Sequence, residues 1–271
     1  MIPVLSHPGL AVGRDGARAV TRSLPEEVPV ALSFDGETLA VMMASPADLT
    51  DFAHGFALSE GVIETLDQVE SFEVVTHPNG IEARFTLSDD RSEALAARRR
   101  RMTGPVGCGL CGIDSLDQAV RDLPSVADTT MRIARAEIAA ATDALTHHQP
   151  IHDQTRAVHA AGFLRPGEGI VMAREDVGRH NALDKLIGAL AQAGIEAASG
   201  AIVLTSRISV EMVQKAAMAG CPVLIAASAP TAHALRLAEG AGMTVAAFAR
   251  GGRFDLYSHP QRIETGASDV A

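Results

Sequence analysis

Two apolar-rich runs, Val28 to Phe34 and Glu37 to Met43, flank Asp35-Gly36. Asp-Gly favours the tight primed turn of a hairpin, so these runs are predicted strands. Ser45-Pro46-Ala47-Asp48 then reads as a helix start, a capping serine followed by proline at the first helical position. The helix it opens carries Leu49, Phe52, Ala53, Phe56 and Ala57 at the spacing of a buried stripe, and Gly61 ends it. His54 lies beside that stripe and reads as a packing or surface residue. Ser71 to His77 and Ile81 to Leu87 flank Asn79-Gly80, a second hairpin signal. The next helix ends in Arg98-Arg99-Arg100-Arg101, a run favoured at a helix C-terminus by the macrodipole. Further helical stretches run from Asp114 to Leu123 and from Ala134 to Leu145, and the polar residues from Thr146 to Thr155 read as a connection.

From Ala157 the pattern changes. Ala157 to Leu164 and Ile170 to Arg174 flank a Pro-Gly-Glu-Gly turn and suggest two strands. Helix and strand then alternate: Arg179 to Ala193 and Ala201 to Thr205, Ser209 to Ala219 and Pro222 to Ala227, Thr231 to Ala241 and Met243 to Ala249. Short, continuous apolar strands separated by helices imply a parallel sheet with helices on its faces. The fold class is therefore α/β, with a smaller α+β region of hairpins and helices ahead of the sheet. The expected divisions are an N-terminal tail (1–27), an α+β domain (28–150) and an α/β domain (151–271).

Composition narrows the function. The hydrophobic fraction of 47% supports a sizeable core. A net charge of −10 and an aromatic content of 3%, with no Trp, argue against nucleic acid as a partner. No apolar run reaches the ~18 residues that a membrane-spanning helix needs. No basic-then-apolar leader opens the chain, and Met1 to Arg22 reads as a polar tail. Three cysteines are too few for a disulfide framework, so a reducing cytoplasm is expected.

Two of those cysteines, Cys108 and Cys111, stand in Gly107-Cys-Gly-Leu-Cys-Gly112, a loop (102–113) whose glycines allow the backbone to bend around a reaction partner. A disulfide, a metal or a persulfide could each use it. One CxxC gives two metal ligands where a structural zinc wants four. Cys221, before Pro222 at a strand start, reads as a buried hydrophobe, and no metal site is expected. A zinc deaminase needs His-x-Glu ahead of its Pro-Cys-x-x-Cys, but here His159-Ala160-Ala161 has alanine in place of glutamate and follows the CxxC. A thioredoxin-like reading fails because the CxxC does not run from a strand into the first helix of a βαβ unit. The nearby arginine run would favour thiolate or attract an acidic surface.

The polar residues of the α/β half gather after its strands: Arg174 to Asn181, Thr205 to Ser209, Ser228 to Thr231 and Arg250 to Arg253. Ligands of open α/β sheets bind outside the carboxyl ends of the strands. Helix N-termini and arginines suit phosphate there, and Gly251-Gly252 allows close backbone approach. The pattern points to a phosphorylated, nucleotide-like ligand. Each segment alone also reads as a helix cap or a loop, with Ser209 and Thr231 as N-caps. Arg179 and Arg207 are candidate phosphate clamps, and His180 or Asp176 a candidate guanine or pterin contact, although Asp176 also reads as a cap of the helix after it.

GCGLCG, REDVGRHNALDK (174–185), LTSRISVEMVQKAA (204–217) and FARGGR (248–253) together make the chain resemble the FdhD/NarQ family of formate dehydrogenase accessory sulfurtransferases. The similarity runs from about Val28 through FARGGR. The resemblance implies that a cysteine desulfurase supplies sulfur as a persulfide on Cys108, with Cys111 assisting relay or resolution. The sulfur would pass to the molybdenum (or tungsten) bis(molybdopterin guanine dinucleotide) cofactor of formate dehydrogenase, a bound client and not a permanent cofactor. The family's dinucleotide site maps onto Phe248, Ala249, Arg250, Gly251, Gly252 and Arg253. The resemblance also implies a cytidine-deaminase-like C-terminal domain without zinc chemistry, and a homodimer. A non-catalytic chaperone for the dinucleotide and, more remotely, a zinc deaminase-like enzyme are the alternatives.

Overall fold

The computed structural model describes residues 2–101 and 123–264, with the backbone alone for 97–101. Cys108, Cys111 and all but the last residue of the expected helix Asp114 to Leu123 lie outside the described residues. The stretch expected to be a tail is instead a hairpin of two ten-residue strands, β1 (Val4–Gly13) and β2 (Gly16–Pro25). Its turn contains Asp15, and Gly16 follows at φ 121°.

The first predicted hairpin forms as β3 (Val28–Phe34) and β4 (Glu37–Ala44). Asp35 and Gly36 take φ of 52° and 81°, the pair of positive values that a type I′ turn requires. Ser45 does not cap the next helix, α1 (Leu49–Ser59), which starts after a left-handed Asp48 without a side-chain cap. The serine is buried, and its amide and hydroxyl are committed to Asp176 and Val177 of the other half. Gly61, at φ 68°, ends the helix as expected.

Strands β5 (Val69–His77) and β6 (Gly80–Leu87) complete a four-stranded sheet in the order β4-β3-β6-β5, followed by α2 (Asp89–Arg101). Val30, Leu32 and Phe34 alternate into its core with Ile81, Ala83, Phe85 and Leu87, beneath Phe52 and Phe56 of α1. His54 is a packing residue, its ring 4.5 Å from that of Phe72 and its Nδ1 2.9 Å from the Thr50 carbonyl.

The second half contains β7 (Ile133–Ala134), α3 (Arg135–Thr146), α4 (Pro150–Thr155), β8 (His159–Arg165), β9 (Gly169–Asp176) and α5 (Arg179–Gln192). It continues through β10 (Ala201–Leu204), α6 (Val210–Met218), β11 (Val223–Ala226), α7 (Ala232–Ala241), β12 (Thr244–Arg250), β13 (Arg253–Ser258) and β14 (Ile263–Glu264). The six-stranded sheet has the order β13-β12-β11-β10-β8-β9. β10, β11 and β12 are parallel as expected, whereas β8 and β13 run against their neighbours because tight hairpins join them to β9 and β12. Helices α5, α6 and α7 cover one face, through residues such as Leu183, Met212, Val213 and Ala238. α3 covers the other through Ile138, Ala141 and Leu145. The expected boundary at residue 150 therefore falls too late, since α3 belongs to this sheet, and the expected connection 146–155 is largely the short helix α4.

The halves are locked together where α1 crosses α5. A Cβ on Gly55 would lie 1.7 Å from the Asp184 carbonyl oxygen, and one on Gly188 would lie 1.9 Å from that of Asp51. The helices meet at backbone distance, which only glycine permits. Two buried, ion-paired lysines flank the crossing. Lys185 reaches Asp176 at 2.7 Å with both side chains fully buried. Lys215 reaches Asp184 at 2.9 Å and Glu60 at 2.8 Å, with the Ser59 hydroxyl donating to Asp184.

Candidate functional site

The strand directions bring the four polar segments to one edge. β9, β10, β11 and β12 point the same way and end there at Asp176, Leu204, Ala226 and Arg250, while β8 and β13 begin there at His159 and Arg253. A bridge between Ile208 and Pro230 ties the second segment to the third. Arg250 Nε donates to the Ala227 carbonyl at 2.7 Å, tying the fourth to the end of β11. A cleft of about 700 Å3 opens between this edge and the α3–α4 corner, lined by Thr142, Gln149, His152, Arg156, His159, Thr205 and Arg250 among others.

The residues of FARGGR divide by role. Phe248 is 46% exposed with φ 53°, at a register shift of the β12–β13 hairpin. Ala249 is fully buried in the core, and its carbonyl accepts from the Thr142 hydroxyl, so its side chain faces away from any ligand. Gly251 and Gly252 have φ of 55° and 77° and form the hairpin turn. A Cβ on either would meet nothing within 4 Å among the described residues, so the turn demands glycine for its conformation and not for a close approach to them. Arg250 and Arg253 pair across that turn, both exposed.

On the other side of the edge, Gly178 occupies the N-cap of α5, and Arg179 and His180 form its first turn. Arg179 Nε and His180 Nε2 are both shielded from solvent and have no hydrogen-bond partner among the described residues. His180 Nε2 stands 3.9 Å from Glu211. The His180 ring and the Ser209 hydroxyl hold the Glu211 carboxyl down at about 2. Ser209 thus sits at the N-cap position of α6 but gives its hydroxyl to Glu211, at 2.6 Å, whereas Thr231 does cap α7 by accepting from Ala234 N. Arg207 is exposed.

Asp176 is not a ligand contact. It is fully buried, and its two oxygens accept from Ser45 N, Gly178 N, Asn181 Nδ2 and Lys185 Nζ. This carboxylate joins the start of α5 to the first half of the chain, and no lone pair is left to read a base.

Several lining residues were not singled out from sequence. His159 pairs in register with Asp176, and its Nδ1 lies 3.4 Å from the Thr205 hydroxyl. Burial, then the charges of Arg179, His152 and His180, push its pKa below the usual histidine value. The ring is therefore neutral at pH 7 and offers one donor and one acceptor. His152 is placed by Glu175, whose carboxylate accepts from the amides of Ile151 and His152, each at 2.8 Å. The polar run from Thr146 to Thr155 carried that signal, but a connection and a short helix look alike without the strand beneath it. Five arginines, 156, 179, 207, 250 and 253, gather on this edge of a chain whose net charge is −10.

Cys221 is fully buried, as expected, and burial pushes its thiol up to about 11. Val126 and Ala127 sit at the opposite edge of the sheet. Val126 N donates to the Ala241 carbonyl, and buried Arg262 donates to the carbonyls of Val126 and Ala127.

The model of the FdhD/NarQ family matches residues 25–264. A curated relative from Agrobacterium fabrum, named sulfur carrier protein FdhD, is 53% identical over 92% of this chain and 93% of its own length. One of the same name from Brucella abortus is 50% identical over 94% of each chain. Among solved structures, a protein of Desulfotalea psychrophila, provisionally described as a formate dehydrogenase accessory protein, superposes with a TM-score of 0.77. It is 23% identical and is matched over 97% of this chain and 100% of its own, which bears on the fold alone.

Proposed function

Because the chain belongs to the FdhD/NarQ family, we propose that it carries sulfur to the metal of a bis(molybdopterin guanine dinucleotide) destined for formate dehydrogenase. The carrying observation is the convergence of four polar segments, five arginines and a cleft on one sheet edge. The dinucleotide is large and polyanionic. Arg250, Arg253 and Arg207 stand exposed for its phosphates, Arg179 brings a donor unpartnered among the described residues with His180 beside it at 3.9 Å from Glu211, and Phe248 presents a ring for a base to stack on.

Cys108 takes sulfur from a cysteine desulfurase. Its thiolate attacks the terminal sulfur of the donor's persulfide, and the donor cysteine leaves as a thiolate. Delivery as sulfide needs two electrons. Attack of the Cys111 thiolate on Cys108 Sγ supplies them, releasing hydrosulfide to the metal and leaving a disulfide for a thiol reductant to reopen. The same reading takes the second half as a cytidine-deaminase-like domain put to another use, and it is supported by Ala161, which is buried in the core where a deaminase would need its glutamate. Assembly is as a homodimer in the cytoplasm.

The discriminating experiment is activation of a client formate dehydrogenase by Cys108→Ala. A sulfur carrier loses activation in that variant, whereas a chaperone that only holds the dinucleotide retains it. Arg253→Ala should weaken GDP binding in calorimetry, and unchanged affinity would remove Arg253 from the site.

A further inference from the structure

His159 is a cleft residue to which phosphate binding assigns no part. It stands half-buried at the start of β8, with Thr205 from the end of β10 beside it. The Thr205 hydroxyl accepts from the Ala160 amide at 3.0 Å and donates to the Ala160 carbonyl at 3.3 Å. A hydroxyl has one proton and two lone pairs, so a lone pair is what it has left for the imidazole. His159 Nδ1, 3.4 Å away, is therefore the donor, and the tautomer is fixed. Nε2 keeps a free lone pair, with no partner among the described residues.

The groups around the ring keep it neutral. Arg179 and His180 face it from α5 and His152 from α4. Arg156 and Arg250 line the same cleft, where Asp143 of α3 is the one acidic residue among the described lining. The carboxylates at the end of β9 are spent elsewhere. Asp176, opposite His159 in register, holds Lys185, and Glu175 holds the amides of Ile151 and His152. No carboxylate stabilises an imidazolium at this position, as the aspartate of a hydrolase triad does. A neutral imidazole with one free lone pair can take up a proton and return it.

Placing sulfur on a metal needs such a group. Hydrosulfide arrives with a proton, and what stays on the metal is sulfide. When the group displaced is hydroxide, the metal–sulfur bond forms, the metal–oxygen bond breaks, and the proton passes from sulfur to the departing oxygen, which leaves as water. The metal keeps its oxidation state, and no proton is consumed overall. With the phosphates on exposed Arg250 and Arg253 at the hairpin, the cleft that Arg250 borders is left for the other end of the molecule. We propose that this cleft receives the metal-bearing end of the dinucleotide, and that His159 Nε2 takes the proton from sulfur and hands it to the departing oxygen. The proposal rests on the sulfur-transfer reading and assigns the proton transfer within it.

Single-turnover transfer tests this. Full-length protein carrying a radiolabelled persulfide is mixed with the bis(molybdopterin guanine dinucleotide) and a client formate dehydrogenase. Label is followed on the Cys108 peptide and in the client. In His159→Gln, loading of Cys108 should match the wild type, because that step precedes any exchange at the metal. Passage of label to the client should slow about 100-fold, within the range of a positioned acid–base group. The wild-type rate should fall as pH drops below about 6.5, where the imidazole gains a proton and loses its lone pair, and this inflection should be missing from the variant. Added imidazole should restore transfer to His159→Ala, with the pH dependence of free imidazole, which a packing role would not produce. Transfer by His159→Gln at the wild-type rate, one pH profile shared by variant and wild type, or no rescue by imidazole would each overturn the proposal. Failure of the wild type to load Cys108 would overturn the sulfur-transfer reading, and the proposal with it.

Discussion

Asp176→Ala separates a structural carboxylate from a ligand contact. The substitution leaves Lys185, with no exposed side-chain surface, beside the carbonyls of Ser45 and Glu175 but without its counter-charge. Breaking a buried ion pair from one side costs about 3–5 kcal/mol. The amides of Ser45 and Gly178 also lose their acceptor, at about 1–3 kcal/mol for a group left unsatisfied, although relaxation around the smaller side chain returns part of this. A net loss of about 4 kcal/mol is expected, a large share of the ~5–15 kcal/mol that holds a typical protein folded. At about 2 °C per kcal/mol for a chain of this size, the midpoint of thermal unfolding falls by about 8 °C. Urea unfolding gives the free energy and calorimetry the GDP affinity of the folded fraction. A loss below about 1 kcal/mol would contradict the buried-pair assignment, and lost GDP affinity at undiminished stability would return Asp176 to the ligand.

Gly188→Ala should destabilise by at least about 3 kcal/mol, since α1 must move more than an ångström to clear the Asp51 carbonyl; urea unfolding no different from wild type would refute the close helix crossing. His159 has a depressed pKa in the fold, so its neutral state is favoured there. Its contribution to stability is complete above its unfolded value near 6.5 and is lost as pH falls through that value toward the lower folded one. His159→Gln should flatten that part of the pH–stability curve, and an unaltered profile would show that another group causes it. Cys221, held as a thiol, should resist alkylation at pH 8 in the native protein and react after unfolding in urea; native labelling of the Cys221 peptide would contradict its burial.

The strands and helices of the second half were legible because their apolar runs are continuous and their turns carry glycine, as at Gly167 and Gly169. The convergence of the polar segments on one sheet edge was legible for the same reason, since the direction of the strands follows from the alternation of helix and strand. What sequence could not show was how side chains are spent. Ser45 has the composition of a cap, yet its polar groups serve a partner more than a hundred residues away, and Asp176 looks like a site residue yet is consumed by Lys185 and three amides. The β1–β2 hairpin was read as a tail because glycines, Pro8 and arginines interrupt its apolar residues. His152 and His159 are adjacent only once α4 is folded onto the start of β8.

The central claim is that Cys108 carries sulfur. Peptide mass spectrometry after incubation with an active cysteine desulfurase and cysteine tests it most directly. The account predicts one additional sulfur atom on the Cys108 peptide, removed by a reducing agent and absent from Cys108→Ala. An unmodified Cys108 peptide, with the desulfurase shown to be turning over, would contradict it and leave the dinucleotide edge to act as a chaperone alone.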